Sequence, residues 1–218
     1  ETVMNSKQKK LKAIERVLDI MDTLREECPW DKKQTFESLR HLTIEETYEL
    51  GEAILSGDRN QIKKELGDLL LHIVFYSKLG SEENAFDISD VANEISDKLI
   101  FRHPHIYGEI KVKDEEEVKK NWELLKLKEK NKTVLSGVPH GLPSIIKAQR
   151  IQDKAAGVGF DWKSLENVWG KVQEEMIELQ TEVEKKNIEK IENEFGDLLF
   201  SLINYARFLK ISPDTSLE

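Results

Sequence analysis

Residues 43–71 read TIEETYELGEAILSGDRNQIKKELGDLLL, and the fold turns on this stretch. Thr43 with Glu46 three residues on is a capping-box pattern, so a helix is expected to begin there. Ser56-Gly57-Asp58 is expected to end it, and Asp58 to cap the next helix. The spacing predicts helices over about 44–55 and 60–79. Residues three apart share a helix face, which pairs Glu46 with Glu49 and Glu65 with Asp68. Folded back as an antiparallel hairpin, the two helices bring these four carboxylates together. Such a cluster repels itself in a partly buried site unless it is protonated or holds a cation, and oxygen-only ligands suit a hard ion such as Mg2+.

Acidic residues at helical spacing are most often a solvated face, and the chain is 34% charged. Two features count against that reading. Glu65 and Asp68 lead into an apolar run, Leu69-Leu70-Leu71-His72-Ile73-Val74-Phe75-Tyr76, so they open a core helix. The arrangement also recurs. Glu174-Glu175-Met176-Ile177-Glu178 repeats Glu45-Glu46-Thr47-Tyr48-Glu49, and Glu194-Phe195-Gly196-Asp197-Leu198-Leu199 repeats Glu65-Leu66-Gly67-Asp68-Leu69-Leu70, each 129 residues on. Tyr76 and Tyr205 keep the same register. Chance clusters do not keep type, spacing and context together, so this is a duplicated functional unit. Gly67 and Gly196 are costly inside a helix, and fit either a tight helix crossing or the close approach of a ligand.

A chain of 218 residues suffices for one large or two small domains. A net charge of -9 argues against a nucleic-acid binder, since phosphate backbones call for a basic surface. It leaves room for a small phosphorylated substrate bridged by a metal. The single cysteine, Cys28, excludes an internal disulfide and suits a reducing compartment, so a cytoplasmic location is expected. No apolar run approaches a membrane span of ~20 residues, and no membrane partner is expected. Met4-Asn5-Ser6 looks like a natural start, which makes residues 1–3 an expected extension.

Elsewhere the apolar periodicity predicts helices over 7–27, 88–102, 114–130, 143–156, 164–185 and 188–209. Thr35 to Leu39 reads as a short helical turn, Gly80 as the end of the second acidic helix, and 211–218 as a loop. Val91, Ile95 and Leu99 are expected to face inward. No segment alternates like a strand, so the fold class is all-α. Gly and Pro in NKTVLSGVPHGLP, residues 131–143, read as a connector. The expected organisation is a helical domain over 1–130, a linker over 131–143 and a second helical domain over 144–218.

The doubled EExxE…ExxD pattern, with CPWDKKQT (28–35) upstream, SDKLIFRHPHIYG (96–108) downstream and VPHGLPSIIKAQRIQDKAAGVGFDW (138–162) leading into the second copy, resembles the MazG nucleoside triphosphate pyrophosphohydrolases over nearly the whole chain. The resemblance implies two tandem helical bundles that form a homodimer. It implies Mg2+-dependent hydrolysis, with Mn2+ as a substitute, of nucleoside triphosphates to monophosphate and pyrophosphate, in a house-cleaning role. It puts metal ligands at Glu46, Glu49, Glu65 and Asp68, and again at Glu175, Glu178, Glu194 and Asp197. Glu45 and Glu174 stand beside these sets. It also puts phosphate-binding cations at Lys98 and Arg102, four residues apart on one helix. In the second half that match falls at 227, past Glu218, so the second bundle reads as lacking its last helix. The first half is therefore expected to be the more complete site, and Glu65→Gln more damaging than Glu194→Gln.

In such a mechanism a carboxylate oxygen takes the proton of the attacking water, and Glu45 and Glu49 are the candidates. Trp30 fits two readings equally, stacking on a nucleobase or packing at a core edge. His72 reads first as a buried, hydrogen-bonded histidine and second as a nucleobase contact. His103 and His105 read as structural parts of a helix stop. A di-iron carboxylate bundle is excluded, because no histidine stands three residues after a glutamate. The runner-up is a non-catalytic regulator that binds a nucleotide or partner on the same fold.

Overall fold

The computed structural model describes residues 5–128 and 133–218, and every described regular element is helical. Residues 1–4, and 129–132 at the join of the expected charged helix and connector, lie outside the described residues.

The chain divides into two compact units, one up to Leu99 and one from Ile100. In the first, α1 (Lys7–Glu27) ends at Cys28-Pro29 and a 3-10 turn (Asp31–Lys33) leads to α2 (Phe36–Ser56) and α3 (Arg59–Glu82). The expected start at Thr43 is corrected: α2 begins seven residues earlier, at Phe36, where Thr35 and Ser38 form the capping box. Phe36, Leu39 and Leu42 continue the apolar period upstream of Thr43, and Leu39 is fully buried, so the helix runs through. The Thr43 hydroxyl instead donates to the Leu39 carbonyl (3.1 Å). Gly57, at φ 73°, closes α2 in the left-handed region and Asp58 caps α3, as the Ser-Gly-Asp reading expects.

The core of this unit is Met21 from α1, Leu39 from α2, and Val74, Phe75 and Leu79 from α3. Arg25 ties its edge, donating to Glu82 (2.9 Å) and to the Asp31 carbonyl. Gly80 does not end α3. It is buried inside the last turn because the Phe86 ring (2.7 Å) and carbonyl (2.8 Å) stand where a Cβ would go.

Helix α4 (Ile88–Arg102) has the expected bounds and an unexpected environment. Val91, Ile95 and Leu99 do not face inward; they are 36%, 47% and 42% exposed. Among the described residues no packed contact joins α4 to α2 or α3.

The second unit contains α5 (Pro104–Tyr107), α6 (Glu115–Lys128), α7 (Ser144–Gly157), α8 (Leu165–Lys185), α9 (Ile188–Phe208) and α10 (Pro213–Leu217). The last of these replaces the loop expected over 211–218, with Ser212 capping it. Helices α8 and α9 form the second hairpin, capped by Ser164 and Asn187, with Val168, Val172, Ile203 and Ala206 buried. Helix α7 packs on α9, where Gln152 Nε2 donates to the Phe200 carbonyl (2.8 Å). Helix α6 packs on α7, which attaches 115–128 to this unit and leaves the division inside α4 rather than in the 131–143 connector. No described helix is long and apolar enough to cross a membrane.

Candidate metal centres

In the first hairpin, Glu46 and Glu49 lie one turn apart on α2 and Glu65 reaches them from α3. One oxygen from each lies within 4.8 Å of the others. Glu65 is buried, while Glu46 and Glu49 are half-buried. Asp68 stands one turn beyond Glu65, outside this closest group. Burial is the main force raising the Glu46 pKa, followed by the charges of Asp68, Glu49 and Glu65. Lys64 enters from the side, its Nζ 3.1 Å from Glu65 and 3.6 Å from Asp68.

The second hairpin repeats the geometry. Glu175 and Glu178 from α8 and Glu194 from α9 offer oxygens within 4.8 Å of one another, with Glu175 buried. Glu194 is raised by burial first, then by Glu178, Asp197 and Glu175. Asp197 is exposed beside the group. Lys171, one turn earlier on α8, lies 2.5 Å from Glu175 and 2.9 Å from Glu174. Among the described residues no other set of three His, Cys, Asp or Glu side chains converges this closely, the His103–His105 pair included. The donors are all carboxylate oxygens, whose mutual repulsion a cation relieves, and the set fits a hard divalent ion. An added Cβ at Gly67 or Gly196 would meet nothing within 4 Å, so among the described residues no helix crosses closely there.

The other sequence-derived residues are spread more widely. Glu45 is exposed on α2, on the outer side of the group. Lys98 pairs with Glu94 (3.7 Å), and the Arg102 guanidinium lies over the Trp122 ring (5.2 Å). Among the described residues no packed contact joins α4 to α2 or α3, so Lys98 is not held against the carboxylates there. Trp30 is 54% exposed, which is not a core-edge environment. His72 is buried one turn past Asp68, with Nδ1 2.9 Å from the Thr43 hydroxyl, which is 2.7 Å from Tyr76. Burial lowers its pKa. His103 meets the Trp122 ring edge-on at 4.9 Å.

Three features escaped the sequence reading. Two are the lysines; Lys64 directly precedes Glu65, and Lys171 stands at helical spacing from Glu174 and Glu175, so both were legible as i,i+3 and i,i+4 partners. The third is a cavity of about 670 Å³ in the second unit. Ile151, Phe160, Trp162 and Phe200 give it largely apolar walls, and Asn204 and Arg207 line one side. Arg207 is held there by Asp161 (2.9 Å) and by Asn204 (3.0 Å). Four helical and loop segments build it, and no single stretch of sequence encodes it.

The raised glutamates give a pH signature. The folded chain holds these protons at pH values where the unfolded chain has released them. Stability therefore falls as pH rises from the ordinary glutamate value of 4.5 to the raised values of Glu46 and Glu194. Glu82, lowered by its hydrogen bond from Arg25, acts in the separate window below 4.5. Thermal unfolding with EDTA should show the decline above 4.5, and saturating Mg2+ should flatten or reverse it. Identical pH profiles with and without Mg2+ would rule out a cation at these carboxylates.

The fold is an all-α one with a carboxylate cluster on each of two duplicated hairpins. The chain belongs to the MazG family: the model of the MazG nucleotide pyrophosphohydrolase domain matches residues 34–107 and 163–218, one segment over each hairpin. It is 41% identical over 214 residues to the nucleoside triphosphate pyrophosphohydrolase of Escherichia coli K12, covering 94% of this chain and 81% of that protein. It is 44% identical over 209 residues to the nucleoside triphosphate pyrophosphohydrolase/pyrophosphatase MazG of Thermotoga maritima, covering 94% and 79%. It is also 47% identical over 194 residues to YabN of Bacillus subtilis, covering 87% of this chain and 40% of that one.

Proposed function

We propose that this chain hydrolyses nucleoside triphosphates to the monophosphate and pyrophosphate in a Mg2+-dependent reaction, and so clears unwanted nucleotides from the pool. The observation that carries the reading is the convergence of three carboxylates within 4.8 Å in each hairpin of a chain of this family. A divalent ion held there, Mg2+ or Mn2+, supplies charge neutralisation at the phosphate oxygens. Water attacks the α-phosphorus, the bridging bond to the β-phosphate breaks, and pyrophosphate leaves with the electron pair. A carboxylate oxygen of Glu45 or Glu49, or of Glu174 or Glu178 in the second hairpin, takes the water's proton. Glu65 and Asp68 in the first hairpin, and Glu194 and Asp197 in the second, would hold the metal from the opposite helix.

The second centre ranks first for turnover. A cavity of about 670 Å³, lined on α9 by Phe200, Asn204 and Arg207, has apolar walls that would suit a base, with Arg207 at its side. The first centre has Trp30 and His72 nearby in sequence, and Lys98 on α4 pairs with Glu94. The exposed Val91 and Ile95 on α4 fit a second copy of the chain, so a homodimer is proposed. The lone cysteine fits a reducing cytoplasm. Incubation with a panel of ribo- and deoxynucleoside triphosphates, with and without Mg2+, should release monophosphate and pyrophosphate in equal amounts only with the metal. Absence of both products under every condition would sink the enzyme reading and favour a nucleotide-binding regulator.

A further inference from the structure

The two centres share their carboxylates and differ in their cations. Lys64 Nζ lies 3.1 and 3.3 Å from the two oxygens of Glu65 and 3.6 Å from Asp68, so it bridges the ExxD pair of the first hairpin. Both of its partners belong to the quartet. In the second hairpin Asn193 occupies the equivalent register, 129 residues on, and the ExxD pair has no lysine at that position. The second hairpin's cation is Lys171, which touches Glu175 and also Glu174, a residue outside the quartet. Leu42 stands at the matching position of the first hairpin. Lys171 can therefore stay on Glu174 while a metal takes Glu175, whereas Lys64 keeps no partner once a metal takes Glu65 and Asp68.

We infer that Lys64 is a tethered cation that competes with the divalent ion for the first centre, so the two centres fill unequally, the second before the first. The inference rests on the metal-dependent reading proposed above. Its physical content is substitution: an ammonium already supplies one positive charge to two of the carboxylates, and an incoming ion must displace it. The Lys64 side chain is 63% exposed and can swing into water, so the penalty is graded and does not block the centre.

The test is Mn2+ binding to the full chain, followed by the electron paramagnetic resonance of free Mn2+ and by calorimetry. Two affinity classes are expected, the tighter lost in Glu194→Gln and the weaker in Glu65→Gln. Lys64→Gln should tighten the weaker class by roughly fivefold and leave the tighter class in place, while Lys64→Arg should restore the original value. Lys63→Gln removes the same charge one residue away and should change neither class by more than about twofold. Equal filling of the two centres, no response to Lys64→Gln, or an equal response to Lys63→Gln would overturn the inference and leave the metal-dependent reading intact. Failure to bind Mn2+ at either centre would overturn both.

Discussion

Glu194→Gln is expected to slow pyrophosphate release from a nucleoside triphosphate by roughly a hundredfold, with the fold unchanged. Glu194 is the α9 member of a group whose oxygens lie within 4.8 Å of one another, so it faces both α8 glutamates. Glutamine has the same shape and keeps one oxygen, but it loses the charge that pairs with a divalent ion. The charge is also what burial and Glu178 resist in the metal-free chain, so the variant should melt slightly higher than the parent without metal. That opposite effect on activity and stability separates a functional carboxylate from a structural one. Glu65→Gln, which disables only the minor centre, should leave turnover within about twofold of the parent, and the double variant should be inactive. The check is pyrophosphate production at saturating Mg2+ alongside thermal unfolding in EDTA. If Glu65→Gln abolished turnover while Glu194→Gln kept most of it, the order expected from Lys98 and Arg102 in the sequence would stand, and α4 would have to reach the first centre from a second copy.

The second large effect is on stability. Phe75→Ala should destabilise the first unit by about 3–5 kcal/mol. Phe75 is buried between α1 and α3 with Met21, Leu39, Val74 and Leu79, and the Arg25 guanidinium lies over its ring at 5.7 Å. The truncation removes an aromatic ring from a small core and leaves Arg25 held by Glu82 and by the Asp31 and Gln34 carbonyls. Trp30 is the only tryptophan before Leu99, so a chain with the other three replaced by phenylalanine reports this unit by fluorescence during denaturation. A loss below about 1 kcal/mol would show that the core collapses around the vacancy.

Particular residues show where local reading succeeded. Ile88–Arg102 is the helix its apolar spacing predicts, and Ser164 starts α8 where a cap is expected. Thr43 shows where it failed. A capping box is a four-residue pattern, and Thr35-Phe-Glu-Ser and Thr43-Ile-Glu-Glu both resemble one; the choice belongs to Leu39, which the core of the first unit buries. Gly80 failed for a similar reason. Its lack of a side chain admits the Phe86 ring rather than ending a helix, and that contact lies outside any helical period. Val91, Ile95 and Leu99 form a correct apolar stripe, yet a stripe does not say what covers it.

The sequence by itself determined the all-α class, the two hairpins and the acidic residues that meet in them. Helical periodicity is a local property, and an offset of 129 residues between two acidic patterns needs no coordinates to be seen. Tertiary structure decided which carboxylates come within 4.8 Å and that a cavity of about 670 Å³ opens in the second unit. Those outcomes depend on how far helices stand apart and on which side chain is left without a better partner, quantities set by packing between segments distant along the chain.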